Sequence, residues 1–335
     1  MEAFTLFGLT VYPYGLAVAA AATLSLLLAG AQVRRAGLKP GTLSWFAPLA
    51  VPLAVLAARA AYCLICFDWF LQKGLGYFFR LTEGGFVLYG ALAGGLLATW
   101  LAACVTRQSF ARLADALAAP SALMIALCRL AEGLVGQGYG RYVTDWFDPE
   151  SGMSLFHPED TSFFQRFPFA VCDMYDEYSW AIFVLEAIIA LVICVAVVRM
   201  RERAPGGRAL LFLLLYAAAQ ALCEGLREDA VLRWGFVRVS QIISAVVVAA
   251  VLLICCVRLP QWRARRGLIA GAWCGTLCGM LLVIAMEFAV EKKIVFLEFL
   301  PMDVCYLITA LAGVLMVCSI LPVWRRAMPL VSGRE

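Results

Sequence analysis

Two arginine–glutamate pairs, Arg129–Glu132 and Glu224–Arg227, stand three residues apart inside otherwise apolar stretches of this 335-residue chain. On a helix that spacing puts both side chains on one face. Arg59, Glu83, Glu186 and Asp115 are further charges within or beside apolar runs. A guanidinium can fork two parallel N–H donors onto a phosphate or a carboxylate. Such a set can therefore do one of two things. It can lock helices together as self-neutralising ion pairs, or it can hold an anionic group.

The composition identifies the solvent around these charges. Hydrophobic residues make up 64% of the chain and charged residues 15%, against roughly 25% charged in soluble domains. Mean hydropathy is +0.87. No water-soluble fold of this length could bury that much apolar surface, so the solvent is lipid. The net charge of +4 does not suggest a nucleic-acid partner. Most of the thirteen cysteines lie in apolar runs and read as small hydrophobes. Cys63 and Cys66 form a C-x-x-C without a second pair, and His157 is the only histidine. Neither a metal site nor a cofactor is expected. The start, MEAFTLFGLTVYPYG, has no basic region and no small-residue cleavage site. Its apolar segment is expected to remain as a helix.

About twenty apolar residues cross a bilayer as a helix. Spans are expected near 12–33, 44–66, 86–105, 113–134, 179–198, 208–226, 237–257, 267–287 and 302–323. The fold class is thus an all-α, polytopic transmembrane bundle of about nine helices. Basic residues follow the odd-numbered spans: Arg34, Arg35 and Lys39; Arg107 and Arg112; Arg199, Arg201, Arg203 and Arg208; Arg258, Arg263, Arg265 and Arg266; Arg325, Arg326 and Arg334. Short basic loops stay in the cytoplasm. The N-terminus is then outside and the C-terminus cytoplasmic. The acidic segment 135–178 is an outer cap, with Trp146, Phe156, Phe163, Phe164 and Phe167 to pack it. Gly271, Gly275 and Gly279 repeat every four residues, a groove for close helix packing within the chain or for a dimer seam.

With that topology, Arg59, Glu83, Arg129, Glu132, Glu186, Glu224 and Arg227 all fall toward the outer leaflet, and only Asp115 lies toward the cytoplasm. Charges inside a membrane are costly and mark function by default. Several helices delivering charge to one depth suggest a polar cavity, and an excess of arginine there suits a phosphate. The abundant phosphate at that depth is a phospholipid headgroup.

Several stretches resemble one family. AARAAYCLICF (57–67), FFRLTEGGFVLYGALAGG (78–95) and ARLADALAAPSALMIALCRLAEGLVGQGYGR (111–141) follow, in order and spacing, motifs of the prolipoprotein diacylglyceryl transferases. So do YGLAV from Tyr14, LYAAAQALCEGLRED (215–229) and VSQIIS (239–244). The resemblance covers residues 12 to about 258. It divides the chain into a transferase-like core, 1–260, and an additional two-helix extension, 261–335.

The resemblance implies transfer of a diacylglyceryl group from phosphatidylglycerol to the thiol of a lipobox cysteine in a prolipoprotein, in the bacterial cytoplasmic membrane. It implies that Arg129 clamps the phosphate, with Arg59 and Arg227 in support. Tyr89 or Glu132 would assist the thiol. Tyr14, Glu83, Gly140, Arg141 and Glu224 match its substrate-binding positions. The chain departs from the pattern at Tyr89 (family His), Glu132 (family Asn), Gln137 (family Glu) and Gln220 (family Arg). Those departures keep open a non-catalytic relative that binds anionic phospholipid or lipoprotein precursors. A transporter would place its charges at the midplane.

Overall fold

In the computed structural model, the described residues are 1–335 except 1–3, 7–8, 152, 174–175, 229–231, 235–236, 261–264, 294, 298 and 332–335. Three of the residues named above, Asp229, Arg263 and Arg334, lie outside them. Eleven α-helices run in order: α1 Pro13–Arg35, α2 Gly41–Ile65, α3 Phe67–Lys73, α4 Leu88–Thr106, α5 Phe110–Glu132, α6 Val143–Phe147, α7 Ile182–Arg199, α8 Gly207–Leu226, α9 Val239–Arg258, α10 Arg266–Val290 and α11 Met302–Ala327. Among the described residues, nine helices (all but α3 and α6) are long and apolar enough to cross a membrane. The chain is a multi-pass membrane protein. In lipid every backbone N–H and C=O must find its partner internally, which a helix does within one segment.

The ends of the spans fall within a few residues of those read from the sequence. The fifth begins at Ile182 rather than 179. Tyr178–Trp180 forms β4, an antiparallel hairpin with β3 (Ala170–Cys172), and so leaves the helix. Two further two-stranded hairpins sit between helices or before them. Phe4–Leu6 pairs with Leu9–Val11, and Arg233–Trp234 with Val237–Arg238.

The chain divides into two compact units, Ser25–Pro120 and Met1–Leu24 with Ser121–Glu335. In the first, α2 and α4 lie side by side. Gly90 and Gly94 of α4 allow this: a Cβ on Gly90 would stand 2.6 Å from the Ala57 carbonyl oxygen, and one on Gly94 would run into that of Leu53. Small residues permit such backbone contact in membranes. Ala29, Val33, Ala102, Ala103, Leu113 and Leu117 close a second core in this unit.

In the second unit, α8, α9, α10 and α11 share a core around Leu214, Val251, Leu252, Cys255, Ile320 and Val323. Gly275 and Gly279 meet α11: a Cβ on Gly275 would be 2.7 Å from that of Ser319, and one on Gly279 would strike Met316. Those two glycines therefore serve packing within the chain, whereas Gly271 faces open space. The segment expected to form a cap has a small core of Val143, Phe147 and Ala170, with Trp146, Phe164, Tyr178 and Trp180 around it. Of the aromatics assigned to packing it, Trp146 and Phe164 do so. Phe156, Phe163 and Phe167 are exposed.

Candidate functional site

The second unit gathers charge at the ends of α5, α7 and α8. Arg129, three residues before the end of α5, donates from Nη1 to Glu132 Oε1 at 2.7 Å and from Nη2 to Gln220 Oε1 at 3.3 Å. Its Nε stands 3.3 Å from Glu186 Oε2. Arg227 donates from Nη1 to Glu132 Oε2 at 3.0 Å and to Glu186 Oε2 at 3.1 Å. Each carboxylate is thus shared by both arginines. Gln220 joins the remaining parts: its Nε2 donates to Glu224 Oε2 at 2.9 Å and Glu186 Oε1 at 3.4 Å, and its Oε1 accepts from the Tyr216 hydroxyl at 2.9 Å. Tyr14 of α1 lies within electrostatic reach of Arg129 and Glu132.

Two expectations bear on this set. Arg129–Glu132 meet directly, as the i,i+3 spacing predicts. Arg227 reaches across to Glu132 and Glu186. The helix ends at Leu226 and Arg227 is already extended (φ −78°, ψ 139°), so helical spacing no longer governs where its side chain points. The excess of arginine is absent. The cluster holds two arginines and three glutamates, a formal charge of −1, because Glu186 and Glu132 occupy the faces of both guanidiniums. Side-chain exposure is 3% for Glu186, 9% for Arg129, 10% for Arg227 and 16% for Glu132. Glu132 is the member nearest to solvent or lipid.

The chain beyond α5 is pressed against the same helices. Gly138 (φ +78°) accepts at its carbonyl from the Phe183 amide at 2.9 Å, and a Cβ there would be 2.6 Å from that of Phe183. Gly140 has room for hydrogen only: a Cβ would sit 2.9 Å from Ile182 Cγ1 and 3.0 Å from the Leu226 carbonyl oxygen. Its amide donates to the Trp180 carbonyl at 2.8 Å. Arg141 pairs with Glu228 at 2.8 Å, apart from the central cluster. Gly133, Leu134, Val135, Gly136 and Tyr139 line a groove of about 560 Å³ that begins where Glu132 ends α5. Burial raises the Tyr139 phenol above its ordinary pKa, so it remains a hydroxyl donor beside the groove.

The first unit holds Arg59, Glu83 and Tyr89. Arg59 is fully buried, and its five N–H donors meet five carbonyls. Nε donates to Phe78 at 3.3 Å, Nη2 to Tyr77 at 2.7 Å and Arg80 at 3.2 Å, and Nη1 to Gly84 and to Gly85, the latter at 3.3 Å. The Tyr77 ring lies 4.3 Å beneath the guanidinium. Arginine has five donors and no more. Arg59 thus holds the loop 77–85 in place. Glu83 pairs with Arg80 at 3.2 Å and is 42% exposed. Tyr89 is buried in the first turn of α4.

A sequence profile described as prolipoprotein diacylglyceryl transferase matches residues 1–257. The chain belongs to this family. It is 28% identical over 271 residues to the phosphatidylglycerol–prolipoprotein diacylglyceryl transferase of Bacillus velezensis, covering 79% of this chain and 94% of that one. With the enzyme of the same name from Oceanobacillus iheyensis it shares 27% over 249 residues, 72% of this chain and 81% of that one. With that from Clostridioides difficile it shares 25% over 248 residues, 73% and 89%. The family stretch carries all of the clustered arginines and glutamates described above. It stops before α10 and α11.

Two residues that touch this site were not singled out from the sequence. Arg238, at the start of α9, is 1% exposed and donates from Nη1 to the carbonyls of Glu224 and Arg227, the latter at 2.7 Å. Glu287 of α10 accepts from Arg238 Nε at 3.2 Å. The available signal was a charge at each end of an apolar run, and helical spacing does not connect residues 49 positions apart.

Proposed function

We propose that this protein moves a diacylglyceryl group from phosphatidylglycerol to the cysteine thiol of lipobox-containing prolipoproteins, at the outer face of a bacterial cytoplasmic membrane. The alternation of basic loops supports an outer N-terminus and a cytoplasmic C-terminus. The observation that carries the reading is the buried Arg129–Glu132–Arg227–Glu186 cluster on the helices that match the family.

In the reaction a thiolate sulfur attacks the glyceryl carbon bearing the phosphate. The C–S bond forms, the C–O bond breaks, and glycerol phosphate leaves with the electron pair. Two demands follow: cations for the phosphate oxygens, and an acceptor for the thiol proton. Arg129 and Arg227 meet the first. Both present Nη1 to Glu132, the most exposed carboxylate of the set. A phosphate that replaces Glu132 on these donors exchanges one anion for another at little electrostatic cost. It also releases a carboxylate beside the leaving group, and Glu132 then accepts the thiol proton. Tyr89 remains a second candidate to assist the thiol. Tyr14, Gly140, Arg141 and Glu224 shape and brace the lipid-binding region, Gly140 by admitting the close approach at Leu226; Glu83 stays a substrate-binding candidate on its match to the family pattern.

The test is direct. Purified protein in vesicles containing phosphatidylglycerol should add the mass of a diacylglyceryl group to a lipobox peptide, and a Cys→Ser peptide should gain none. No added mass, at enzyme levels where the Bacillus velezensis relative reacts to completion, refutes the proposal.

A further inference from the structure

The helices beyond the family stretch grip the end of α8. A helix leaves its last four carbonyls without partners, and in a buried setting each must be satisfied from elsewhere. At the end of α8, the Glu224 and Gly225 carbonyls are met by Arg238, the residue before α9, and by Tyr306 of α11. The Tyr306 hydroxyl of α11 donates to the Gly225 carbonyl at 2.9 Å. Arg238, immediately before α9, donates to the carbonyls of Glu224 and Arg227. Arg238 is in turn held by Glu287 of α10, at 3.2 Å, and Glu287 also accepts from Gln241 Nε2 at 3.0 Å. Gln241 donates as well to the Ala221 carbonyl, 3.2 Å away and one turn earlier on α8. Arg238 and Glu287 are both buried.

The second of these helices, α11, also reaches the segment 142–180. Tyr306 stacks on Trp146, ring centroids 5.9 Å apart. Asp303 at the start of α11 accepts from the Ser154 hydroxyl at 3.0 Å and the Leu155 amide at 2.8 Å.

We propose that α10 and α11 are a positioning device for the transferase site. Glu287, acting through Arg238, and Tyr306, acting on Gly225, fix the non-helical turn after α8 from which Arg227 reaches Glu132 and Glu186. Glu287 and Tyr306 are positioning residues; neither touches the lipid. The device rests on the transferase reading for its purpose, and on the hydrogen bonds alone for its action on α8. Once the turn at residue 227 loosens, the guanidinium loses its register with the phosphate, and a misplacement of about 1 Å costs on the order of 100-fold in rate.

Four full-length variants in phosphatidylglycerol vesicles test this: Glu287→Gln, Tyr306→Phe, Arg238→Met, and the double variant Arg238→Met/Glu287→Gln. Three quantities are read on monodisperse protein: transfer rate to a lipobox peptide, melting midpoint, and amide exchange over residues 222–228. Glu287→Gln and Arg238→Met each leave one buried group without its counter-charge and should lower both melting and rate. The double variant removes both charges, and its melting should recover toward the parent. Its rate should stay about 10- to 100-fold low, and amides 225–228 should exchange faster, because the Glu224 and Arg227 carbonyls have lost their donor. Tyr306→Phe should speed exchange at the same amides.

A double variant that transfers at the parental rate overturns the proposal, since the pair is then only a strut. So does unchanged exchange over 222–228 in the double variant. A parent protein that transfers nothing refutes the transferase reading instead, and the exchange measurement still decides whether the extension holds α8.

Discussion

Replacing Arg129 by lysine separates charge from shape at the centre of the cluster. Arg129 distributes one guanidinium over Glu132 at 2.7 Å, Gln220 at 3.3 Å and Glu186 at 3.3 Å. Lysine keeps the charge, so the cluster remains at two cations to three carboxylates. A single ammonium cannot bridge partners on α5, α7 and α8 together. Arg129→Ala instead leaves Glu132 and Glu186 with Arg227 alone, and breaking a buried pair from one side costs about 3–5 kcal/mol. For Arg129→Lys the loss is one charge-assisted hydrogen bond, about 1.5–3 kcal/mol, with the Coulomb attraction largely kept. Stability should therefore fall less than in the alanine variant.

The rate should not follow that order. If the guanidinium receives the phosphate through a fork, lysine removes one preorganised donor, and such a loss costs about 10²- to 10³-fold, or about 2.7–4 kcal/mol. The assay is diacylglyceryl transfer to a lipobox peptide by mass spectrometry, paired with the melting midpoint of the same preparation. Arg129→Lys should melt above Arg129→Ala and still transfer at least a hundredfold slower than the parent. A lysine variant that transfers at the parental rate refutes the reasoning. Arg129 would then be a strut between helices, and the phosphate would bind elsewhere.

Arg59→Gln should destabilise the first unit by several kcal/mol, because charge-assisted bonds to the Phe78–Gly85 carbonyls are lost together at about 1.5–3 kcal/mol each and are not fully additive; an unchanged melting curve would contradict the five-donor geometry. Gly90→Ala should cost about 1–3 kcal/mol through the clash with the Ala57 carbonyl of α2, read as a lower melting midpoint.

Much of this was legible in the chain because lipid is an unforgiving solvent. An apolar run of the right length has one way to satisfy its backbone, and the nine spans followed from that alone. The i,i+3 reading was sound at Arg129, where α5 continues to Glu132. It carries less at Arg227, where the helix stops one residue earlier, and helix ends are set by capping contacts that the local sequence does not display. Here those contacts come from Arg238, itself held by Glu287, and from Tyr306, 81 residues from Gly225. Arg59 shows a related limit. Its type announced an anion site, but its five donors were claimed by carbonyls 18 to 26 residues away. A sequence shows which donors exist, not which acceptors reach them first.

The same distinction changes how the departures from the family pattern should be weighed. Counted as single positions, Glu132 and Gln220 replace an asparagine and an arginine and make the site less cationic. Placed in the structure, they form a connected set. Gln220 accepts from Arg129 and Tyr216 and donates to Glu224 and Glu186, so it ties the cluster together without adding charge. Glu132 supplies the one carboxylate bound by both arginines and still partly exposed. An isolated anion added beside Arg129 would weaken a phosphate site. An anion that the phosphate displaces, and that can then take a proton, is a working part of one. A Glu132→Gln variant decides between these roles: it should bind phosphatidylglycerol at least as tightly as the parent in native mass spectrometry, because a neutral amide competes for the two guanidiniums more weakly than a carboxylate. It should transfer about 10²- to 10⁴-fold more slowly, the range for loss of a general base. Tighter binding with undiminished transfer would show that the carboxylate only competes with the lipid and takes no proton.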